Sequence, residues 1–179
     1  MIFDTLGCAK TAIDVALAIK IKNLAALSGA EGRYSAVGSS EPTALLQAVY
    51  ANARLANLLD FDETFPVGVH FGIGAVVAAL AGVEAEGGTF DDLLLATLAG
   101  YEAGARLAVA IGPMMKVVAG EVQGFSPVWG VAAPVVLAAC IAYAKARKVG
   151  FKTLHQAIGI ACSNIPLPIG SKWSEARAC

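Results

Sequence analysis

The sequence predicts an all-α protein. Apolar residues recur mostly at helical spacing, most clearly between Leu45 and Leu59. Alanine, which has the highest helix propensity, is abundant nearly everywhere. The glycine-rich positions fall where helices are expected to end, and no segment reads convincingly as a strand. We therefore expect a multi-helix domain.

The first three predicted helices are delimited by small and polar residues. The first covers residues 3–27 and stops at the Ser28–Gly29 pair. The second covers residues 40–59, because the Ser40 side chain can cap the free backbone N–H groups of its first turn. A break rich in acids separates it from the third helix, residues 70–88.

The last three helices have clearer ends. A capping box that starts at Thr89 opens the fourth helix, which ends at Gly112–Pro113. The irregular stretch 113–125 comes before the fifth helix, residues 127–148, whose basic C-terminal end suits the helix dipole. The sixth helix covers residues 152–163.

The composition indicates a surface that is partly covered. At 179 residues the chain has the length of one domain, here residues 1–179. Hydrophobic residues make up 57% and charged residues 15%, against roughly 45 to 50% and 25% in ordinary soluble chains. Either a missing domain or a second subunit covers part of the chain, or part of it lies in a membrane. The uncharged stretch 122–144 is long enough to span a bilayer, but its glycines and prolines favour a buried helix.

Charge and cysteine spacing argue against several other classes. The net charge is −1 and no basic stripe is present, so no nucleic-acid partner is predicted. The cysteines never form a C-x-x-C pair, which favours reduced thiols in a cytoplasmic protein, and no secretion signal is visible. The two histidines, His70 and His155, are too few for a metal site, and His155 lies in an ordinary helical pattern. No glycine-rich loop follows a strand, so no nucleotide cofactor is predicted.

The densest group of catalytic residue types lies between the second and third helices. Asp60, Asp62, Glu63 and His70 share this connection, and connections are where folded scaffolds usually present functional groups. A histidine at the start of the third helix would meet free N–H groups, which disfavour imidazolium, and could accept a proton. The alternative is that the acids are solvated loop residues and His70 is a cap residue.

Several segments resemble the MmgE/PrpD family in order and separation. Residues 51–64, A-N-A-R-L-A-N-L-L-D-F-D-E-T, followed by Val69–His70, are similar to the family's A-N-G-x-x-A-H-x-L-D-F-D-D-T and its later H-P. Residues 92–107 resemble its fourth-helix signature, and residues 157–163 its A-L-G-I-A-G-S. The resemblance covers almost the whole chain. It implies the helical domain of a family of cofactor-independent, commonly homodimeric enzymes, without their α+β lid domain.

The resemblance also implies roles for individual residues. Asp60, Thr64 and His70 match acidic, hydroxyl and imidazole positions of the family's active site. Lys172 is similar to a lysine that binds substrate carboxylate there. Ser126 stands where the family's G-F-H-P has a second histidine, and we expect it only to line the site, because a hydroxyl does not transfer protons at neutral pH.

These expectations favour a lyase that acts on a small di- or tricarboxylate. Dehydration of a 2-methylcitrate-like acid is the preferred expectation, and decarboxylation and epimerisation are the alternatives within the family. His70 would be the acid/base, Asp60 its orienting partner, Thr64 a hydrogen-bonding group for substrate and Lys172 a carboxylate ligand.

Two further hypotheses come from other classes of protein. The chain is a split or inactive helical subunit that needs a partner lid domain, which the loss of family histidines at Asn57 and Ser126 favours. Alternatively, it is a small membrane protein built around the stretch 122–144.

Overall fold

The computed structural model describes residues 1–26, 32–126, 130 and 132–165. These residues form helices and a single small sheet, which confirms the prediction of a mostly α protein. In chain order the elements are α1 (Ile2–Ala12), α2 (Ala16–Ala26), α3 (Leu45–Asn57), α4 (Gly72–Glu86), α5 (Phe90–Ile111), β1 (Met115–Val118), β2 (Glu121–Phe125), α6 (Ala132–Ala146) and α7 (Phe151–Ser163).

Helix α4 lies at the centre of the fold. Most of its residues are apolar and buried, as is typical of a helix covered on all sides. Ile73 and Val77 belong to a core cluster that α4 forms with α1, α2 and α3. Ala75 and Val83 belong to a second cluster with α5 and α6, which Phe71 also joins. Both clusters therefore reach the first turn of α4.

Glycines let these helices approach each other closely. A Cβ atom at Gly100 in α5 would lie 2.5 Å from the carbonyl oxygen of Ala138 in α6. A Cβ atom at Gly82 in α4 would lie 2.5 Å from the Cβ of Ala146, also in α6. Both distances are too short for real contacts, so the small side chains allow α6 to pack along α4 and α5.

The predicted first helix is two helices, so the prediction of one helix over residues 3–27 was wrong. A turn separates α1 from α2, in which the amide of Val15 donates to the carbonyl of Ala12 at 3.1 Å. The break lets both helices pack against α3. Because apolar residues keep the same spacing across the turn, the sequence pattern does not indicate that the chain changes direction there.

The second predicted helix begins later than its Ser40 cap suggested. Helix α3 starts at Leu45, after the extended residue Ala44. The backbone of Thr43 is already paired with Tyr34, since each amide donates to the other's carbonyl at 2.9 to 3.0 Å. This local bridge uses the groups that a helix starting at Ser40 would need, and it delays the helix.

The stretch 113–125, predicted to be irregular, contains an antiparallel β-hairpin. Strands β1 and β2 are joined at Ala119 and Gly120, which both have positive φ angles of 52° and 84°. Two successive residues of this kind are typical of the tight turns that suit a right-twisted hairpin. The uncharged stretch 122–144 is consequently divided between β2 and α6, rather than being one membrane-spanning helix.

Other boundaries agree with the prediction. The capping box of α5 is present: the Thr89 hydroxyl accepts from the amide of Asp92 at 3.2 Å, and the Asp92 carboxylate accepts from the amide of Thr89 at 2.9 Å. Among the described residues, α5 is long and apolar enough to cross a bilayer, a test that core helices also pass. The predicted start of the fifth helix at residue 127 lies outside the described residues.

Candidate active site

A buried carboxylate faces the imidazole of His70. The Oδ2 atom of Asp62 lies 3.5 Å from Nδ1 of His70. The Asp62 side chain is 0% exposed, whereas the His70 side chain is 31% exposed. The His70 Nδ1 atom is itself buried, so the open part of the ring lies away from Asp62. This arrangement pairs a protected carboxylate with an imidazole that solvent or a ligand can reach.

The Asp62–His70 contact is longer than an ordinary hydrogen bond. Neither Asp62 Oδ2 nor His70 Nδ1 makes a hydrogen bond to another side chain or backbone group in the described part of the chain. Hydrogen bonds at catalytic sites are often long without substrate and shorten when it binds. The other carboxylate oxygen of Asp62, Oδ1, accepts from the side-chain amide of Asn57 at 3.1 Å. Asn57, at the end of α3, thus fixes one side of the carboxylate.

The structure places Asp60 and Thr64 on the surface of the same connection. Both residues are exposed. Asp60 has a φ angle of 55°, and its amide donates to the carbonyl of Asn57 at 3.1 Å. Aspartate is one of the few residues that tolerates this left-handed conformation. Asp60 therefore ends α3, and within the described ranges its side chain forms no hydrogen bond or ion pair with His70.

Ser126 follows β2 and lies close to the turn that precedes His70. Its amide donates to the carbonyl of Met114 at 2.8 Å, and the amide of Met114 donates to the carbonyl of Val67 at 3.0 Å. The base of the hairpin is thereby tied to the turn before His70. Lys172, the predicted carboxylate ligand, lies outside the described residues.

Glu63, and not His70, accepts the hydrogen bond from the first backbone amide of α4. The residue before the helix is Phe71, which provides no side-chain cap. The Oε2 atom of Glu63 accepts from the amide of Gly72 at 2.8 Å, so a carboxylate already occupies this end of the helix. The expectation that His70 meets free N–H groups was therefore wrong at this position.

The other oxygen of Glu63 contacts α5. Its Oε1 atom accepts a hydrogen bond of 2.5 Å from the hydroxyl of Tyr101. Burial of the phenol, together with this hydrogen bond and the nearby Glu63 charge, raises the pKa of Tyr101 above its ordinary value. Tyr101 consequently remains a hydrogen-bond donor throughout the neutral pH range.

A buried thiol lies on the α1 side of this site. Burial raises the pKa of Cys8, and the charges of Asp4 and Asp62 raise it further. The thiol is therefore protonated at neutral pH and does not act as a base.

These contacts can support proton transfer at a carbon next to a carboxylate. A carboxylate at Nδ1 favours the imidazole tautomer with a proton on Nδ1, which leaves Nε2 free to accept a proton. The sequence placed His70 and the acids in one connection but paired His70 with Asp60. The residue facing it is Asp62, and the sequence did not predict that Glu63, a member of the same group of acids, binds Tyr101. Glu63 and Tyr101 are 38 positions apart in the sequence, and no local sequence pattern predicts their hydrogen bond.

The comparisons with known proteins support the family resemblance. The family model described as the MmgE/PrpD N-terminal domain matches residues 1–168. No curated protein gives a significant match to the chain.

Proposed function

The chain belongs to the MmgE/PrpD family through its N-terminal domain, and from this premise we propose that it is the helical part of a lyase for small di- or tricarboxylates. Membership of the family suggests a dehydratase-type protein. We propose dehydration of a 2-methylcitrate-like acid as the reaction, with decarboxylation and epimerisation as the alternatives within the family. Independence of metal and nucleotide cofactors remains a prediction.

The observation that carries this proposal is the contact between His70 and Asp62. A buried acid 3.5 Å from Nδ1 of a partly exposed imidazole is an arrangement that orients a general base. The Asn57 amide, which binds the other carboxylate oxygen, keeps the acid turned toward His70.

In the proposed reaction, Nε2 of His70 removes a proton from the carbon next to a substrate carboxylate. The electron pair of the broken C–H bond forms the new C=C bond, and hydroxide leaves the neighbouring carbon. A proton from an acidic group converts the leaving hydroxide to water, so the products are an unsaturated acid and water. Asp62 stabilises the positive imidazolium that forms when His70 takes the proton from the substrate.

The predicted substrate-binding residues, Thr64, Lys172 and Ser126, keep proposed roles in binding. Asp60 and Thr64 are exposed on the connection that carries Asp62, where the Thr64 hydroxyl can donate to a substrate. Lys172 would neutralise a substrate carboxylate, and Ser126 would line the site. We propose Asp62 in place of Asp60 as the group that orients His70, because Asp62 is the acid in contact with it.

The test compares two histidine variants in the complete gene product. His70→Ala should abolish most conversion of 2-methylcitrate, citrate-like acids, cis-aconitate or iminodisuccinate, followed by mass spectrometry. His155→Ala is the matched control, because His155 is exposed on α7, and its turnover should equal that of the wild type. Equal turnover in both variants would remove His70 from the mechanism.

We also propose that the chain associates with a second subunit or a lid domain. The start of α1 and one face of α5 enclose an open groove of about 450 Å³. Phe3, Phe90 and Leu98 line it and are exposed, and such apolar patches are typical of protein interfaces. A homodimer is the first expectation. The split-subunit hypothesis predicts instead that a reading frame for a lid domain lies next to this gene.

Light scattering on the purified chain tests the homodimer. Leu98→Glu should give a monomer, because it places a charge in the groove. Leu24→Glu, at an exposed position of α2 outside the groove, should leave the mass of the wild type unchanged. A monomeric wild type would contradict the homodimer. We further propose a cytoplasmic location, which the free thiols Cys8, Cys140 and Cys162 support.

A further inference from the structure

Tyr101 contacts the residue that follows each member of the Asp62–His70 pair. Glu63, directly after Asp62, accepts the Tyr101 hydroxyl bond at 2.5 Å. Phe71, directly after His70, has its ring centre 4.8 Å from that of Tyr101, with an interplanar angle of 32°. One side chain of α5 therefore holds both ends of the connection that carries the candidate catalytic groups.

Glu63 joins the same two ends through its carboxylate. While Oε1 binds Tyr101, Oε2 accepts from the amide of Gly72, the first residue of α4. This bond satisfies a helix N-terminal donor that the N-cap residue, Phe71, does not cap. A Cβ atom at position 72 would lie 2.6 Å from Oε2 of Glu63, so a glycine there is what allows the carboxylate to approach.

The turn between the two ends is closed by aromatic packing and a backbone hydrogen bond. Phe65 lies 5.4 Å from Phe71 and 6.2 Å from Tyr101, measured between ring centres. The amide of Phe65 donates to the carbonyl of Val69 at 2.8 Å. Rings in tilted and edge-on contact stabilise each other beyond the effect of their burial. His70 thus lies between a closed turn and a capped helix.

We propose that Glu63 and Tyr101 are positioning residues that set the approach of Nδ1 of His70 to Oδ2 of Asp62. We call them the positioning pair. They touch no reacting atom and act through the backbone at residues 62–63 and 70–72. The effect of the positioning pair on catalysis rests on the proposed function, whereas its effect on the His70 ring does not.

The test measures the tautomer of His70 by ¹⁵N NMR of the imidazole, at a pH where the ring is neutral. The chain has two histidines, so a His155→Gln background leaves a single signal, that of His70. Tyr101→Phe keeps the aromatic ring and removes only the hydroxyl. Glu63→Ala removes both hydrogen bonds, and Glu63→Gln keeps an acceptor oxygen for the amide of Gly72.

The expected result is a change in the tautomer ratio of His70 in some variants and not in others. The Nδ1–H tautomer should dominate in the unsubstituted background and in Glu63→Gln, and its share should fall in Tyr101→Phe and Glu63→Ala. Tyr143→Phe is the matched control, because Tyr143 lies on α6 and its hydroxyl accepts from Arg147, and it should leave the signal unchanged. An unchanged His70 signal in both Tyr101→Phe and Glu63→Ala would overturn the positioning role. Tyr101→Phe keeps the test valid if Glu63→Ala does not fold.

Turnover provides the second measurement. Since a displacement of about 1 Å can cost roughly 100-fold in rate, kcat should fall in Tyr101→Phe by about 10- to 100-fold, with KM nearly unchanged and with recovery in Glu63→Gln relative to Glu63→Ala. A fall in turnover without any tautomer change would contradict the inference. If the variants change the tautomer of His70 but the unsubstituted complete gene product shows no turnover, the positioning role is supported and the proposed function is not.

Discussion

Gly104 offers the sharpest test of how α5 supports the site. A Cβ atom at this position would lie 2.6 Å and 2.7 Å from the Cδ2 and Cε2 atoms of Phe71. The Phe71 ring is 0% exposed and packs against Phe65 and Tyr101, so it has little room to move. Gly104→Ala should therefore overpack the core, at a cost of about 1 to 3 kcal/mol.

Helix propensity acts in the opposite direction and requires a control. Replacing glycine by alanine inside a helix gains about 1 kcal/mol. In Gly159→Ala, on α7, the added methyl group meets nothing within 4 Å in the part of the chain that the structure describes, and this variant should show the gain alone. The difference between the two variants then isolates the overpacking cost.

Thermal unfolding measures this difference. For a chain of this size 1 kcal/mol shifts Tm by roughly 2 to 4 °C. Gly104→Ala should therefore unfold about 2 to 12 °C below Gly159→Ala, given an overpacking cost of about 1 to 3 kcal/mol. If the two variants gained equal stability, Phe71 would not pack against α5 as described, and the support of His70 by this helix would be refuted.

Three further predictions concern the α5 cap and the thiols. Thr89→Ala should lower the free energy of unfolding by about 0.5 to 2 kcal/mol in denaturant titrations, and no loss would contradict the capping box. The Thr89 amide and Lys148 hold the pKa of Asp92 below its ordinary value of 3.8. Asp92→Asn should therefore lower the free energy of unfolding at pH values above 3.8, and this effect should vanish as the pH falls below 3.8. A loss of stability that does not depend on pH would disprove the effect. At about pH 8 a thiol reagent should modify the exposed Cys162 quickly and the buried Cys8, whose pKa is raised, only as the protein unfolds. Peptide mapping would show equal rates if Cys8 were accessible.

Local chemistry made much of the fold predictable. The capping box at Thr89 and the glycine that ends α4 act within one helical turn, and both are found where the sequence placed them. The start of α3 was not predictable in the same way. The pairing of Thr43 with Tyr34 competes with the Ser40 cap, and it depends on residues from the preceding loop. The hairpin turn at Ala119 and Gly120 was missed because alanine is an unusual residue at positive φ.

The candidate site was predictable as a region but not as a set of contacts. The cluster of acids beside His70 pointed to the right connection. Which acid faces the imidazole depends on how the chain leaves α3, and Asp60 is used to end that helix. Asp62 is then the acid that turns toward His70. The contact of Glu63 with Tyr101 joins distant segments, and only the packing of α5 reveals it.

The account depends most on the identity of the acid that orients His70. The direct measurement is the imidazole ¹⁵N spectrum of His70 in Asp62→Asn and in Asp60→Asn, both in the His155→Gln background. Asp62→Asn should reduce the share of the Nδ1–H tautomer, because it removes the charge 3.5 Å from Nδ1. Asp60→Asn should leave the spectrum unchanged. A changed spectrum in Asp60→Asn together with an unchanged one in Asp62→Asn would contradict the proposed site.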